Sequence, residues 1–504
     1  MNFFDSMQNE LNNEKTVTTN GAIAYKTAGR KILDFNFGVS AMRNMKPSYI
    51  SDEYMKVFFE DKLVALKYLF YLGDIREGLG ERKAFRAGIQ YLIENQTDIA
   101  TTIIGLIPYY NRWDSILAFV DYKPTRKTAV KMIKAQLKQD KRNMKDGKPI
   151  SLCAKWMPSV NASSPITVGM AKTICKELGW EHSKYRKTLS KLRKYLDVVE
   201  CKMSAKKWSE IDYSRVPSKA NLNYNNAFLR NDEERRREYL QALQKGEAKI
   251  NAGTLNPHEI CAKYIGNGYG RNVSFDITLE ELWKALPNLS VENTLVVRDG
   301  SGSMTWGGYG STARPLDVAT ALAIYMSERN TGGWKDKYIT FSSTPKIVDL
   351  SNCRSLKDKI KLSLNEADCS NTDIYKTMML ILNTAKKNHM SQDDMPKMIV
   401  ICSDMQFDGR YHRLNSSLFD EIARKYKSAG YQLPRICFWN LAGKLDGTIP
   451  MQQNELGLIL CSGFSVQLLR MFMSNKIDPY EVLLDTLNSG RYKMVEKAVE
   501  NIIK

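Results

Sequence analysis

An apolar run just past the middle of the chain ends in an aspartate and two serines at alternate positions. Residues 295–304 read Leu-Val-Val-Arg-Asp-Gly-Ser-Gly-Ser-Met, so a buried strand is predicted to end at Asp299, with Ser301 and Ser303 in the loop after it. The intervening glycines let the backbone turn without steric cost. Oxygen donors of this kind suit Mg²⁺, Mn²⁺ or Ca²⁺ better than zinc. A simple Ser/Gly turn between a strand and a helix is the alternative explanation.

Two later segments offer further oxygen donors. Thr372 lies in a polar loop that opens a predicted helix, and Asp404 follows a second apolar run at residues 398–403. Asp373 and Asp408 are the alternatives in these two loops, and Asp373 is as well explained as a helix cap. Order and spacing together make the pattern more specific than any one loop.

This set resembles the metal-ion-dependent adhesion site (MIDAS) of von Willebrand factor A (VWA) domains. In that family a first loop gives Asp-x-Ser-x-Ser, a second gives Thr and a third gives Asp. The resemblance implies a divalent metal, most simply Mg²⁺ with Mn²⁺ or Ca²⁺ as alternatives. The ligands it implies, some of them through water, are Asp299, Ser301, Ser303, Thr372 and Asp404.

Strands and helices are predicted to alternate through the rest of the C-terminal part. This alternation indicates an α/β domain with a mostly parallel sheet and helices on both faces. Ligands of such sheets lie outside the carboxyl ends of the strands, which is where Asp299 and Asp404 fall. The predicted elements are a helix at 316–326, a hairpin of 338–341 with 346–350, a helix at 374–387, a strand at 398–403, a helix at 418–428, a strand at 435–439, an apolar run at 456–461 and a helix from Val466.

The N-terminal part has the periodicity of short amphipathic helices. Helices are predicted at 54–72, 83–93, 99–107, 113–120 and 129–137, with residues 140–148 as an exposed loop. Antiparallel helices in series predict a HEAT-like α-solenoid. The expected domains are a flexible N-terminus at 1–20, a helical repeat domain at 21–290 and a VWA domain with C-terminal helices at 291–504. Residues 294–504 are therefore expected to fold as a fragment.

Positive charge is concentrated in residues 101–250. This segment holds 31 Lys and Arg against 15 Asp and Glu, out of a net charge of +19 for all 504 residues. Such an excess predicts a polyanionic partner, and interleaved Tyr and Trp favour single-stranded RNA. A solvated basic surface is the alternative. The candidate RNA-binding residues are Lys141, Arg142, Lys145, Arg186, Lys187, Lys191, Arg193, Lys194, Lys206, Lys207, Arg215 and Lys219.

Four segments of the chain resemble the TROVE modules of Ro autoantigen-like proteins. They are 71–82 (Tyr-Leu-Gly-Asp-Ile-Arg-Glu-Gly-Leu-Gly-Glu-Arg), 107–114 (Ile-Pro-Tyr-Tyr-Asn-Arg-Trp-Asp), 154–158 and 185–193. With the VWA segment, the resemblance covers roughly residues 20–504 and is nearest to uncharacterised Ro-like relatives, including viral ones. It implies a helical ring, monomeric in its simplest form, that binds structured small RNAs and single-stranded RNA ends. Residues 200–275 match the family only in their basic character.

Several functional classes are disfavoured by the sequence. No Ser-His-Asp order, Walker A sequence or pair of carboxylates suited to two-metal catalysis is present, so an enzyme is not expected. No apolar run reaches membrane-spanning length, and nine scattered cysteines suit a reducing, cytoplasmic compartment. The function expected is an RNA-binding scaffold of Ro type. The alternative is a protein-interaction module whose metal captures a carboxylate of a protein partner.

Overall fold

Twenty-three α-helices and eight strands are assigned among the residues that the computed structural model describes. These are residues 15–18, 20–21, 23–266, 274–305, 313–341, 344–366, 373–407, 418–442, 449–450 and 457–503. The strands are β1 (Lys15–Val17), β2 (Ile23–Tyr25), β3 (Thr294–Asp299), β4 (Lys337–Phe341), β5 (Ile347–Asp349), β6 (Met398–Ser403), β7 (Arg435–Asn440) and β8 (Leu458–Ser462).

Helices account for most of the rest, with short 3-10 turns between some of them. They are α1 (Lys31–Phe37), α2 (Val39–Met42), α3 (Pro47–Glu60), α4 (Lys62–Gly73), α5 (Arg82–Asn95), α6 (Thr97–Ile103), α7 (Ile107–Tyr110), α8 (Leu117–Asp121), α9 (Lys123–Lys145), α10 (Cys153–Trp156), α11 (Pro165–Leu178), α12 (His182–Tyr195), α13 (Val199–Ser204), α14 (Ser218–Asn231), α15 (Glu233–Gln244), α16 (Pro257–Ile265), α17 (Ile277–Lys284), α18 (Pro315–Glu328), α19 (Leu356–Asn365), α20 (Ile374–Lys387), α21 (Leu418–Ser428), α22 (Pro479–Leu487) and α23 (Lys493–Val499). Among the described helices none is long and apolar enough to cross a bilayer.

A six-stranded sheet organises the first of two compact units, which comprises residues 1–46 and 255–488. Its order is β5-β4-β3-β6-β7-β8, and every neighbouring pair is parallel except β4 with β5. All residues of β3, β6 and β8 are buried, as expected for strands covered on both faces. The predicted α/β architecture and the predicted hairpin are confirmed.

Helix α1, which is distant from β7 and β8 in the sequence, completes this α/β unit. The Asn36 side chain on α1 donates to the Leu460 carbonyl on β8 (2.8 Å), and the Asn440 side chain on β7 donates to the Phe37 carbonyl (2.8 Å). These buried bonds satisfy backbone groups that would otherwise lack partners. Residues 31–46 therefore belong with the sheet rather than with the helical repeats.

The segment before β3 is tied to the same unit. The Glu280 carboxylate on α17 accepts from the backbone N–H of Leu356 at the start of α19 (2.8 Å) and from the Tyr264 hydroxyl on α16 (2.8 Å). The Trp283 indole donates to Glu328 on α18 (2.7 Å). The sequence-based division near residue 290 thus does not coincide with the division in the structure, because α16 and α17 pack on α18 and α19.

The second unit, residues 47–254 and 489–504, is helical in the described part of the chain. The prediction of a single helix at 54–72 is wrong, because α3 ends at Glu60 and α4 begins at Lys62. Asp61 lies between them in extended conformation, and its carboxylate caps α4 by accepting from the Val64 N–H (2.9 Å). Apolar periodicity continues across this break, which is why periodicity alone did not reveal it.

The loop predicted at 140–148 is also wrong over its first six residues, because α9 continues to Lys145. Asp140 lies inside the helix and is fully buried. Its carboxylate accepts from the Gln136 side chain (2.8 Å), the Ser151 N–H (3.0 Å) and the Ser151 hydroxyl (2.7 Å). Aspartate is typical of loops, but Asp140 is buried in the helix and binds the segment that follows it at Ser151.

Candidate functional site

The candidate metal centre lies at the carboxyl ends of β3 and β6. Pairing of Arg298 with Cys402 in the parallel register brings the end of β3 beside the loop that follows β6. Asp299 is completely buried there, and its carboxylate accepts from the Ser301 N–H (2.8 Å) and from the Ser403 hydroxyl (2.5 Å). Two donors thus fix the orientation of this carboxylate.

Two serine hydroxyls and a second carboxylate lie in the loops next to Asp299. The hydroxyl oxygens of Ser301 and Ser303 lie 3.1 Å apart. Asp404 is almost fully buried, and its carboxylate accepts from the Gln406 N–H (3.2 Å). Met405, which follows it, has φ +65°, a left-handed conformation that is uncommon for a side chain of this size. The structure therefore brings together four of the five ligands expected from the sequence.

The electrostatics of this cluster favour a cation. Burial, followed by the negative charge of Asp404, raises the pKa of Asp299 to about 7, against the opposing effect of hydrogen bonds from Ser403 and Ser301. Burial also raises the pKa of Asp404, although a hydrogen bond with Ser303 opposes this. The charge of Asp404 thus disfavours the ionised form of the buried Asp299, and a divalent cation between them would oppose that effect.

The donor set fits a hard cation. The described residues hold no group of three or more His, Cys, Asp or Glu side chains that could bind a metal, so a centre here depends on hydroxyl oxygens as well as on its two carboxylates. Thr372 and the alternative ligand Asp408 lie outside the described residues. Asp373 caps α20 by accepting from the Lys376 N–H (3.0 Å), which is the role its sequence suggested as the alternative.

A second candidate site is the basic face of α9. Eight cations of this helix fall within roughly 100° around its axis, given a turn of 100° per residue. The only acidic residue of α9 is Asp140, which is buried and hydrogen-bonded. The cations, of which the structure exposes all except the half-buried Lys134 and Lys141, are Lys123, Lys127, Lys131, Lys134, Lys138, Lys141, Arg142 and Lys145. We refer to them as the α9 stripe.

Helix α12 adds charge next to the α9 stripe. The Lys141 and Lys184 ammonium groups lie 5.3 and 5.2 Å from the centre of the Trp180 ring. Burial, then repulsion by Lys184 and Lys191, lowers the pKa of Lys141. Arg186, Lys187, Lys191 and Lys194 of α12 are exposed. Close cations that destabilise one another form a surface where an anion would bind favourably.

Several of the predicted RNA-binding residues already have partners within the protein. The Arg193 guanidinium donates to the carbonyls of Ala154 (2.8 Å) and Met157 (2.7 Å) and to the Ser159 hydroxyl (2.8 Å), so it holds the loop after α10. These bonds give Arg193 a role inside the protein, and its contact with RNA stays a prediction.

Four other predicted RNA contacts come from segments outside α9 and α12. Lys207 pairs with Glu210 (2.6 Å) and Arg215 with Asp212 (3.4 Å). Lys206 and Lys219 are exposed at the ends of other elements. These four residues belong to segments other than α9 and α12, and their contacts with RNA stay predictions.

Comparison with known proteins shows a relative of this chain that is encoded by a virus. An uncharacterized protein of Acanthamoeba polyphaga mimivirus is 30% identical over 512 aligned positions, which cover 93% of this chain and 86% of that protein. The chain belongs to the family of this mimivirus protein. Residues 121–286 of this chain match a domain of unknown function (DUF2828), and residues 293–501 match another (DUF7788). Neither description names a function.

A solved structure, that of the Ro (RSR) protein of Deinococcus radiodurans, aligns with 89% of this chain and 92% of that one. The sequence identity is 12% and the TM-score is 0.38. A likeness of this size does not establish a shared fold.

Sequence reasoning missed residues at both candidate sites. Ser403 directly precedes Asp404 and orients Asp299, and its place at the end of an apolar run was the available signal. The α9 stripe was missed over residues 123–138 because its cations are spaced three or four apart. A helical projection of the sequence reveals them, whereas a search for consecutive basic residues does not.

Proposed function

We propose that this protein is an RNA-binding scaffold of Ro type that binds single-stranded or structured small RNA through the α9 stripe and the adjoining face of α12. The observation that carries the proposal is the α9 stripe itself, because nothing acidic on the surface of α9 offsets its charge. A helix of 23 residues is about 34 Å long, so a stripe along it can contact several successive phosphates. A reducing, cytoplasmic location accompanies the proposal.

Neutralising the α9 stripe should weaken RNA binding and flatten its salt dependence. In a variant with Lys131, Lys138, Arg142 and Lys145 changed to Gln, the log–log salt slope should fall by about 0.7 for each phosphate interaction that the substitutions remove. The total fall should reach about 2.8 if all four residues bind a single strand. Fluorescence anisotropy of a labelled 20-nucleotide oligo-uridine over a series of salt concentrations measures both the affinity and the slope.

A variant of equal net charge controls for nonspecific electrostatics. Arg230, Arg237, Lys245 and Lys249 are exposed on or after α14 and α15, and should be changed to Gln together. This control should retain most of the affinity and slope of the parent. Equal decreases in the two variants would mean that RNA is attracted by net charge alone and that α9 is not its binding surface.

A second candidate function rests on the centre at Asp299. We propose that Asp299, Ser301, Ser303, Thr372 and Asp404 hold Mg²⁺ or Mn²⁺, which would present an open coordination position to a carboxylate of a protein partner. The observation favouring this is the pair of buried carboxylates beside two hydroxyls. Partner binding that requires metal but is insensitive to salt would support this function, and salt-sensitive, metal-independent RNA binding would support the first.

Asp299→Asn should remove metal binding while the α/β unit stays folded. Asparagine keeps the shape of the side chain and one acceptor oxygen for the Ser301 N–H, and its amide can donate to the Ser403 hydroxyl. Asp299→Ala would leave both groups without a partner. In the parent, Mg²⁺ at 100 times its Kd should stabilise the unit by about 2.7 kcal/mol, and in the variant it should not. Calorimetric titration with Mg²⁺ and Mn²⁺ tests this, and an unchanged isotherm in the variant would refute the ligand assignment.

A further inference from the structure

Three arginines of the helical unit converge on one carboxylate. The Arg86 guanidinium donates to Asp114 (2.9 Å), and Arg112 donates to both oxygens of the same carboxylate, with its Nε at 2.9 Å from Oδ1. Arg82, one turn before Arg86 on α5, lies 3.8 Å from Asp114. We call Arg82, Arg86, Arg112 and Asp114 the arginine cluster. It is separate from the α9 stripe.

Neighbouring side chains hold Arg112 and its loop in position. The Arg112 guanidinium lies 3.7 Å from the centre of the Trp156 ring, in cation–π geometry. The buried Asn111 side chain donates to the Gly73 carbonyl (2.6 Å) and accepts from the Arg112 N–H (2.8 Å), which fixes the loop that carries Arg112 and Asp114. Arg112 is therefore oriented before any ligand arrives.

The side chains of the other two arginines, Arg82 and Arg86, are partly exposed to solvent. The side chains of Arg82 and Arg86 are 47% and 45% exposed, whereas Asp114 is 15% exposed and lies beneath them. Within the described part of the chain, these two arginines make one hydrogen bond to Asp114, from Arg86, although each guanidinium has about five N–H donors. Most of their donors therefore remain available.

The arginine cluster carries excess positive charge. Three guanidinium groups against one carboxylate give 3 − 1 = +2. Burial, then repulsion from Arg112 and Arg86, lowers the pKa of Arg82, so Asp114 does not fully neutralise the group. A charge of +2 matches a phosphate monoester, which carries about −1.5 to −2 at neutral pH, better than the single negative charge of a phosphodiester. Planar guanidinium groups also suit phosphate oxygens in bidentate geometry.

We propose that Arg82, Arg86 and Arg112 form a binding site for a phosphate monoester, with Asp114 and Trp156 as positioning residues. An RNA end and a small phosphorylated molecule are the two sources of this group, and both offer the same dianion. Only the RNA source rests on the proposed RNA-binding function. The segments 71–82 and 107–114, which the RNA surface on α9 does not use, contribute to this site.

Inorganic phosphate is the first probe, used with the full-length protein. Phosphate should raise the Tm of the parent above that in chloride of equal ionic strength. Arg82→Gln and Arg86→Gln should each weaken phosphate affinity about tenfold, because each removes charge-assisted hydrogen bonds from an exposed side chain. Arg237→Gln removes an arginine elsewhere in the unit whose side chain is 66% exposed, and it should leave phosphate binding unchanged.

The second probe is one 12-nucleotide RNA sequence with either a 5′-phosphate or a 5′-hydroxyl group. If the source is an RNA end, the parent should prefer the phosphorylated RNA about tenfold, and both cluster variants should lose that preference while binding the hydroxyl RNA as the parent does. If the variants lose phosphate binding but the two RNAs bind alike, the site takes a small phosphorylated molecule.

The proposal is overturned if phosphate acts no differently from chloride, or if it stabilises the parent and both cluster variants equally. Failure of the RNA-binding function would be seen separately. In that case neither RNA would bind the parent, while the phosphate titration would still decide whether the arginine cluster is an anion site.

Discussion

Residues 294–504 produced alone should be insoluble or molten, although the sequence pattern favours a boundary near residue 290. The fragment lacks α1, whose Asn36 bonds to β8, and α16 and α17, whose Tyr264 and Glu280 hold the start of α19. It also retains residues 489–504, which belong to the other unit. Loss of these helices would expose apolar faces of α18 and the sheet, which promotes aggregation.

The control for this fragment is a variant in which a flexible Gly/Ser linker replaces residues 47–254 and the chain ends at residue 488. This variant contains the whole α/β unit. It should be soluble and unfold cooperatively, as judged by near-ultraviolet circular dichroism and thermal melting. A cooperative transition in the 294–504 fragment, with dispersed amide resonances, would show that α1, α16 and α17 are dispensable to the fold.

Asp74→Ala should strongly destabilise the helical unit. Asp74 is completely buried, and Arg491 binds it with two hydrogen bonds, Nε to Oδ2 (2.7 Å) and Nη2 to Oδ1 (3.0 Å). The Tyr492 hydroxyl donates to the same carboxylate (3.3 Å), and its ring stacks on Tyr110. Removing one partner of a buried pair leaves the other charge uncompensated, so the expected cost is about 3–5 kcal/mol, or a fall in Tm of about 10 °C.

Asp146→Ala is the matched control, because this aspartate is 57% exposed and its ion pair with Lys148 is 3.9 Å long. It should change stability by less than about 0.5 kcal/mol. A double-mutant cycle of Asp74→Ala with Arg491→Ala should give a large coupling energy, measured by urea denaturation. If Asp74→Ala were no more destabilising than the control, residues 489–504 would not be an integral part of the helical unit.

Local pattern was sufficient to predict the class of each half of the chain. Alternation of apolar runs with helical segments predicted the parallel sheet and the β4–β5 hairpin, because strand period and helix period are properties of neighbouring residues. The proximity of Asp299 and Asp404 followed from the rule that ligand positions lie at the carboxyl ends of strands. Helical periodicity likewise predicted the N-terminal helices, but not the break at Asp61, since the apolar positions continue through it.

The sequence by itself determined the alternation of strands and helices in the α/β unit and the placing of Asp299 and Asp404 at strand ends. Only the tertiary structure decided that α1 completes the α/β unit, that residues 489–504 return to the helical unit, and that Arg193 is used internally. These outcomes depend on contacts between residues far apart in the chain. The N-terminal and C-terminal segments each bind their own unit through single side chains such as Asn36 and Arg491. The residue type alone does not indicate which distant partner such a side chain will bind. Local periodicity reports which face of a helix is apolar, but not which distant surface will cover it.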